Sequence, residues 1–214
     1  MSDHEHHVLI IGAGSIGERH LRCFLNTGRA KVSFVEVRDE LRAEIATRYS
    51  DTTAYCSLEA AFEKTSGIDC AVVATPAPLH VQQATFLLKQ GLHVLIEKPL
   101  SLNLQGIDEL LQIAENSGQV AAVAYVYRAH PVLGQMREAL HSGRYGKPVE
   151  LIVSCGQNFP TYRPAYRETY YRSRETGGGA IQDALTHMIN ASQWLVGDVS
   201  RVVADAEHLV LDGV

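Results

Sequence analysis

Short apolar runs alternate with amphipathic segments along the first part of the chain. The runs are typical of buried strands, and the segments between them carry apolar residues at helical spacing. The predicted strands are 8–11, 31–37, 53–56, 69–75, 93–97 and 119–125, and the predicted helices are 15–27, 40–49, 78–90 and 104–116. Such strands, separated by helices, indicate a parallel sheet covered on both faces. Right-handed crossovers then give a doubly wound α/β domain of the Rossmann type, which we place at residues 1–127.

The pattern changes after Tyr127. We predict helices at 131–142 and 179–195, strands of more alternating character at 148–156 and 201–211, and a loop at 158–176 that is rich in tyrosine and arginine. This mixture predicts a second domain, residues 128–214, of the α+β class with a mostly antiparallel sheet. We expect that sheet to be incomplete, because only two of its strands precede Val214.

Composition and charge restrict the function. The 214 residues are 46% hydrophobic and carry a net charge of −5, which gives no electrostatic reason to expect a nucleic-acid partner. No apolar run approaches the roughly 18 residues of a membrane-spanning helix, and no basic region marks a secretory signal. The four cysteines form no Cys-x-x-Cys pair and are typical of reduced thiols, so we predict a cytoplasmic protein.

Histidines cluster at the start of the chain, at positions 4, 6 and 7. They could bind a metal, but a polar tail that leads into the first strand is the simpler interpretation. We therefore predict no metal site.

A glycine-rich turn follows the first strand and opens the first helix. Gly12, Gly14 and Gly17 match G-x-G-x-x-G, with Ser15 and Ile16 at the start of the helix. The first two glycines allow a tight turn and a close approach of the backbone to a pyrophosphate, and the third lets the helix pack on the strand. The motif in this context predicts a dinucleotide-binding site.

Two charged residues at the end of the second strand bear on which dinucleotide binds. Glu36 lies 19 residues beyond Gly17, and its carboxylate could accept hydrogen bonds from ribose hydroxyls and repel a 2′-phosphate. Arg38 could instead favour NADP. We predict NAD as the cofactor, with NADP possible.

A second candidate segment, ATPAPLH, ends the strand at 69–75. Thr75 and Pro76 are expected to line the nicotinamide side of the crevice. For His80 a cofactor contact and a role in shaping the turn are equally supported.

The stretch EKP ends the next strand, where Glu97, Lys98 and Pro99 follow one another. A buried lysine is costly, and proline removes a backbone donor, so their presence here calls for an explanation. Because the strand ends beside the expected cofactor, Lys98 can donate a hydrogen bond to a reacting oxygen and stabilise a developing alkoxide. The alternative is a solvated loop lysine.

These motifs, in this order, resemble the glucose–fructose oxidoreductase, inositol dehydrogenase and MocA-like family. YRAHP (127–131) and GGGAIQDALTH (177–187) resemble further family segments. The resemblance implies an NAD(P)-dependent oxidoreductase that forms dimers or tetramers and has a cis Lys98–Pro99 bond. It implies a catalytic set of Lys98, Asp183 and His187, a cofactor site that includes Glu97, Lys98 and Pro99, and substrate contacts from Tyr127 and Arg128.

The chemistry of Asp183 and His187 fits this implication. They are four residues apart on a predicted helix, so they can be neighbours on one face. An imidazole titrates near neutral pH and suits proton transfer with a hydroxyl. A purely structural helix-surface pair is the alternative. The family often has Asp three residues after this histidine, whereas this chain has Asn190.

The loop at 157–179 carries candidate specificity residues. The tyrosines offer rings for stacking on a sugar, and the arginines offer forks for a carboxylate or phosphate. They are Tyr162, Tyr166, Tyr170 and Tyr171, and Arg163, Arg167, Arg172 and Arg174. The same residue types are enriched in subunit interfaces, and the two interpretations are equally supported.

Three functional hypotheses follow. The first is an oxidoreductase that transfers a hydride between nicotinamide and a hydroxyl or keto group of a sugar, polyol or sugar acid. The second is an NAD-using glycosidase, and the third is a dinucleotide-binding regulator without chemistry. Because family members run well past this length, we also expect a truncated gene product or a partial chain.

Overall fold

The computed structural model describes residues 6–156, 158–168, 170–209 and 211. The chain divides into two compact units, Met1–Ala124 and Tyr125–Val214. Of the residues considered above, His4 in the N-terminal tail and Gln157 in the tyrosine-rich loop lie outside the described part.

The first unit alternates strands and helices. Its strands are β1 (His6–Ile11), β2 (Ala30–Val35), β3 (Thr53–Tyr55), β4 (Cys70–Val73), β5 (His93–Ile96) and β6 (Ala121–Val123). Its helices are α1 (Ser15–Asn26), α2 (Asp39–Arg48), α3 (Leu58–Lys64), α4 (His80–Lys89) and α5 (Ile107–Ser117). A single 3₁₀ turn, Ala77–Leu79, leads into α4.

All six described strands form one parallel sheet in the order β3-β2-β1-β4-β5-β6. The order reverses between β1 and β4, which pair directly from Val8–Cys70 to Ile11–Val73. The predicted doubly wound sheet is therefore confirmed. In such a sheet, ligands bind in the crevice beyond the carboxyl ends of the strands at the reversal.

The core consists of two apolar layers, one on each face of the sheet. Leu9 and Ile11 of β1 belong to the layer covered by α3, α4 and α5, whereas Val8 and Ile10 belong to the layer covered by α1 and α2. Because side chains alternate along a strand, both sets must be apolar when both faces are covered. This explains the uninterrupted apolar run VLII.

Helix α3 was not predicted. It has only seven residues and begins with a Ser57 cap, whose hydroxyl accepts a hydrogen bond from the Ala60 amide at 3.2 Å. The cap satisfies one amide that the helix itself leaves without a partner. The short length hides the helical period, so this serine was the available signal.

The regular secondary structure that the described residues of the second unit form is helical. It contains α6 (Pro131–His141), the single turn α7 (Phe159–Tyr162) and α8 (Thr186–Val196). A π-helical turn, Ile181–Leu185, leads into α8.

The expected antiparallel sheet was wrong for the part of the second unit that the structure describes. Residues 148–156 and 201–209 form no strand there. Val149 and Val203 are 99% and 95% exposed, so the alternating apolar positions do not pack. A pair of strands without a third strand or a covering layer is marginal, which explains why alternation alone did not produce a sheet.

The packing of α1 against the turn after β1 depends on Gly17. A Cβ atom there would lie 1.8 Å from the Gly12 carbonyl oxygen, far inside any allowed contact. Helix and turn can therefore approach this closely only with glycine at position 17.

We expect Gly17→Ala to lower the free energy of unfolding by about 3 kcal/mol or more, because the backbone must shift to admit the methyl group. Urea unfolding followed by circular dichroism measures this. Gly134→Ala in α6 is the matched control: apart from the helix's own backbone, no atom of the described residues lies within 4 Å of the added methyl group. It should stabilise by about 0.5–1 kcal/mol. Equal effects of the two substitutions would contradict the steric explanation.

Candidate functional site

The glycine-rich turn brings the backbone of β1 against the end of β4. Gly12 has φ +85°, and a Cβ there would lie 2.9 Å from the Ala74 carbonyl oxygen. Gly14, in contrast, borders open space: the nearest neighbour of a Cβ atom at that position would be Arg38 Nη2, at 3.9 Å. The turn thus has a closed side toward the protein and an open side toward the crevice.

The open side offers a site for an anion. Helix α1 starts at Ser15, and no described side chain caps its N-terminus. Its first amides and its dipole favour negative charge. Ser15 and Ile16 are both exposed at this point. The open space beside Gly14 and the uncapped helix start fit the pyrophosphate of a dinucleotide.

Glu36 follows β2 and lies beside the turn, where it is 4% exposed. Its Oε1 atom accepts hydrogen bonds from the Arg38 amide and Nε at 3.1 and 2.9 Å. Its Oε2 atom accepts from the Ala13 amide and Arg38 Nη2 at 3.0 and 3.1 Å. A carboxylate has about four acceptor positions, so the chain itself supplies a donor for each.

Burial opposes ionisation of Glu36, but the hydrogen bonds from Arg38 and Ala13 outweigh it and lower the pKa of the carboxyl group. The same contact raises the pKa of Arg38. Glu36 is therefore a carboxylate at neutral pH, and its charge is matched by a guanidinium.

The segment after β4 contains the predicted residues Thr75, Pro76 and His80. Thr75 donates a hydrogen bond from its hydroxyl to Gln83 Oε1 at 2.6 Å, and Pro76 is exposed at the crevice edge. His80 is 1% exposed, and both of its ring nitrogens lie against backbone carbonyl oxygens. These contacts place the imidazole inside the protein.

The EKP stretch follows β5 at the same edge of the sheet. The predicted cis Lys98–Pro99 bond is confirmed. Glu97 is 8% exposed, and its Oε1 atom lies 2.7 Å from His20 Nε2 on α1. Its Oε2 atom accepts a hydrogen bond from the Lys98 amide at 3.2 Å. Lys98 itself is half-buried.

In the second unit, His187 lies near the start of α8 between two aromatic rings. The rings of Tyr125 and Tyr127 meet it edge-on at centroid distances of 5.9 and 5.8 Å. The Tyr125 hydroxyl is 3.1 Å from the Thr186 hydroxyl, which connects it to the same helix. The imidazole orientation is thus restricted by aromatic packing.

Asp183 lies in the π-helical turn that precedes α8. The Tyr170 hydroxyl donates a hydrogen bond to Asp183 Oδ1 at 3.1 Å. Burial, followed by the contacts with Tyr171 and Asp183, raises the pKa of Tyr170, so the phenol remains a donor at neutral pH. π-helical turns are rare and often occur at functional sites.

The glycine run beside this turn is sterically required. A Cβ at Gly178 would lie 2.3 Å from the Tyr171 carbonyl oxygen and 2.5 Å from that of Tyr170. Gly177 and Gly179 have φ values of +91° and +96°. The run therefore seats the two tyrosines next to the turn that carries Asp183.

The remaining predicted residues of the second unit differ in their surroundings. Arg128 donates from Nε to Asn190 Oδ1 at 2.9 Å, so the asparagine that replaces the expected aspartate still has a cationic partner. Arg163 donates from Nε to the Tyr171 hydroxyl at 3.3 Å. The Arg167 guanidinium lies 4.8 Å above the Tyr166 ring, and Tyr162 is 64% exposed.

Sequence reasoning missed two residues that contact the predicted set, His20 and Tyr125, and it did not foresee the contact of the candidate Tyr170 with Asp183. His20 lies three residues beyond Gly17, on the helix that the glycine motif opens, and this position was the only available signal. The tyrosines approach through loops, whose paths periodicity does not reveal. Lys98 is in the first unit, whereas Asp183 and His187 are in the second.

A parallel sheet with this strand order and a glycine-rich turn at its reversal defines a dinucleotide-binding domain. Residues 6–125 match the family model described as "Oxidoreductase family, NAD-binding Rossmann fold", and residues 133–213 match the GFO/IDH/MocA C-terminal domain. The chain therefore belongs to the GFO/IDH/MocA oxidoreductase family, as its motifs indicated.

Curated relatives of the chain include sugar and inositol dehydrogenases. D-xylose 1-dehydrogenase (NADP(+)) 2 of Haloferax volcanii is 26% identical over 91% of the chain, and inositol 2-dehydrogenase of Streptomyces avermitilis is 27% identical over 89%. The chain spans only 58% and 53% of these two proteins.

Among solved structures, the WlbA dehydrogenase of Bordetella pertussis, in complex with NADH and UDP-GlcNAcA, is similar with a TM-score of 0.75 at 22% identity. The match covers 92% of the chain and 59% of that structure, and at this identity it shows the fold alone. None of the described helices is long and apolar enough to cross a lipid bilayer.

We expect Glu36→Gln to reduce stability by about 2 kcal/mol at pH 7, because it removes a buried charge with four donors. The folded-state pKa of Glu36 is below its ordinary value of 4.5, so this stability is present above pH 4.5 and is lost as pH falls through the folded value. Urea unfolding from pH 7 to pH 3 should therefore show the two proteins converging in acid.

The matched control for this experiment is Glu109→Gln on α5, whose carboxylate forms an exposed ion pair with Lys89. It should change stability by less than about 0.5 kcal/mol at any pH. If the difference in unfolding free energy between Glu36→Gln and the wild type stayed constant from pH 7 to pH 3, the lowered pKa of Glu36 would be contradicted.

Proposed function

We propose that the protein is an NAD(P)-dependent oxidoreductase that transfers a hydride between nicotinamide and a hydroxyl or keto carbon of a sugar, polyol or sugar acid. One observation carries the proposal: Lys98 follows β5, the strand paired with β4, and so comes at the carboxyl ends of the strands next to the reversal between β1 and β4, in the same unit as the glycine-rich turn. The names of the curated relatives support the substrate class.

The first unit would hold the dinucleotide through Gly12, Gly14, Ser15, Ile16 and Gly17 at the start of α1. Thr75, Pro76 and the EKP stretch would border the nicotinamide end. When bound, the nicotinamide supplies the hydride acceptor or donor. Lys98 Nζ donates a hydrogen bond to the reacting oxygen and stabilises negative charge there.

In the second unit, His187 would exchange a proton with the substrate hydroxyl, because an imidazole titrates near neutral pH. The packing of Tyr125 and Tyr127 around it fixes the ring plane. Asp183, oriented by Tyr170, would accept a hydrogen bond from the substrate or from the imidazole.

Four exposed or half-buried side chains of the second unit would contact the remaining substrate atoms. Tyrosines bind sugar rings through stacking, and arginines bind carboxylates or phosphates through paired donors. The four side chains are Tyr127, Arg128, Tyr162 and Arg163. Arg167 is a fifth candidate.

The pair Glu36–Arg38 would set the cofactor preference. Ribose hydroxyls need acceptors on Glu36, and these are freed when Arg38, whose side chain is 64% exposed, rotates away. A 2′-phosphate would instead bind the guanidinium directly. We therefore propose NAD as the cofactor, with NADP also accepted, and Arg38 as the residue on which the balance depends.

Dinucleotide binding and turnover test the proposed activity. Calorimetry with NADH and NADPH, followed by a panel of polyols, aldoses and sugar acids with both oxidised cofactors, should reveal binding and at least one substrate. Lys98→Ala should lower kcat by about 10²–10³-fold and leave NADH affinity within a few-fold, since its contact forms in the transition state.

Lys89→Ala is the matched control, because Lys89, the last residue of α4, forms an exposed ion pair with Glu109 on α5, away from the carboxyl ends of the strands. Its kcat should equal that of the wild type. Binding without turnover of any substrate would leave a dinucleotide-binding protein without this chemistry. The absence of dinucleotide binding would overturn the whole proposal.

Arg38→Ala tests the cofactor balance. The variant should shift the ratio of NADPH to NADH affinity about tenfold toward NADH, because a charge-assisted contact to the 2′-phosphate is lost and Glu36 is freed. Arg48→Ala on α2, an exposed arginine paired with Glu44 and Glu18, serves as control and should leave the ratio unchanged. A shift in the opposite direction would show that Arg38 does not select the phosphate.

A further inference from the structure

His80 connects the two loops that follow β4 and β5. Its Nε2 atom lies 2.7 Å from the Thr75 carbonyl oxygen, and its Nδ1 atom lies 2.9 Å from the Pro99 carbonyl oxygen. The side chain is 1% exposed, so both contacts are shielded from water. Thr75 is five residues before the histidine, whereas Pro99 is nineteen residues after it.

Both partners of the ring are acceptors. A carbonyl oxygen cannot donate, so each contact is a hydrogen bond only when that ring nitrogen carries a proton. The imidazolium donates to both carbonyls, and each neutral tautomer donates to one. No other side-chain type offers two such donors on opposite edges of a small rigid ring, which explains a histidine at a fully buried position.

The Pro99 carbonyl is an anchor point for Lys98. Proline has no N–H group, so its carbonyl is the one backbone group through which that residue can be held. On the other side of Lys98, the Glu97 amide donates to the Val73 carbonyl at 2.9 Å, and the Glu97 carboxylate lies 2.7 Å from His20. The residues on both sides of Lys98 therefore contact other elements: Glu97 contacts β4 and α1, and Pro99 contacts the first residue of α4.

We propose that His80 is a positioning residue for Lys98, which it holds at the sheet edge through the Pro99 carbonyl. The contribution of His80 to turnover rests on the function proposed above. Its effect on the position of the loop after β5 does not. The competing explanation is that His80 only shapes the start of α4 through Thr75. The two ring nitrogens distinguish these explanations. The contact of Nδ1 with Pro99 would position Lys98, whereas the contact of Nε2 with Thr75 would shape the start of α4.

Two amide substitutions isolate the two contacts. The Nδ2 atom of asparagine lies close to where Nδ1 of histidine lies, so His80→Asn keeps a donor toward Pro99. The Nε2 atom of glutamine lies near the position of histidine Nε2, so His80→Gln keeps a donor toward Thr75. Both remove the ring, and asparagine, one methylene shorter than glutamine, leaves the larger gap. A packing effect alone would therefore disturb the loop more in His80→Asn, which is opposite to the effect expected from the hydrogen bond.

Amide hydrogen exchange gives a readout that does not depend on activity. In His80→Gln, exchange of the peptide covering residues 97–103 should be about tenfold faster, because one buried hydrogen bond is lost. In His80→Asn it should stay within about twofold of the wild type, and residues 81–89 of α4 should show no difference between the variants. Equal exchange in the pair, or faster exchange in His80→Asn, would overturn the proposal.

Turnover gives the second readout, once a substrate is known. His80→Gln should lower kcat about tenfold, and His80→Asn less than about twofold, with NADH affinity equal in both. If exchange differs between His80→Gln and His80→Asn but kcat does not, His80 holds the loop after β5 without affecting Lys98, and the proposed positioning role is overturned. Failure of the whole protein to bind NADH would refute the proposed function but not the exchange result.

The wild-type protein offers a third measurement, which holds even if a variant fails to fold. Nitrogen NMR of ¹⁵N-labelled histidine should show a proton on His80 Nδ1. A ring protonated at Nε2 alone would contradict the bond to Pro99. His7→Gln is the matched control: His7 is buried on β1 and lies 2.9 Å from the Ser33 hydroxyl, far along the strand from its carboxyl end. It should not change exchange at residues 97–103.

Discussion

The side-by-side pairing of β1 and β4 is the constraint on which the rest of the first unit depends. Both strands are buried on both faces, and both are parallel, so their carboxyl ends must reach the same edge of the sheet. The glycine-rich turn and the Thr75 segment therefore face each other. Their closeness is visible at Gly12, where a methyl group would collide with the Ala74 carbonyl.

The sequence allowed the parallel sheet to be predicted because its signals are local and repeated. A strand buried on both faces is apolar throughout, and a helix between two such strands follows from the period of its apolar residues. The glycine motif, Glu36 and the EKP stretch could be found for the same reason, since each comes directly after a strand. Even so, β2 ends at Val35, which leaves Glu36 free to turn back toward Ala13.

Other features could not be predicted because they depend on partners distant in the chain. Alternation at 148–156 indicated a strand, but a strand forms only when another strand or layer pairs with it. The contacts of His20 with Glu97 and of Tyr170 with Asp183 join segments 77 and 13 residues apart. Nothing in the local pattern of either segment specifies such contacts, so they became visible only in three dimensions.

The internal pairing of Glu36 has a consequence for how a cofactor would arrive. Since the chain supplies every donor to this carboxylate, the domain can fold without a ligand and carries no uncompensated buried charge at this position. A ribose hydroxyl that donates to Glu36 must therefore displace a hydrogen bond from Arg38, so that one donor replaces another on the same carboxylate. The gain at Glu36 is then the difference between two sets of hydrogen bonds, and not the full value of a new contact to an unoccupied acceptor.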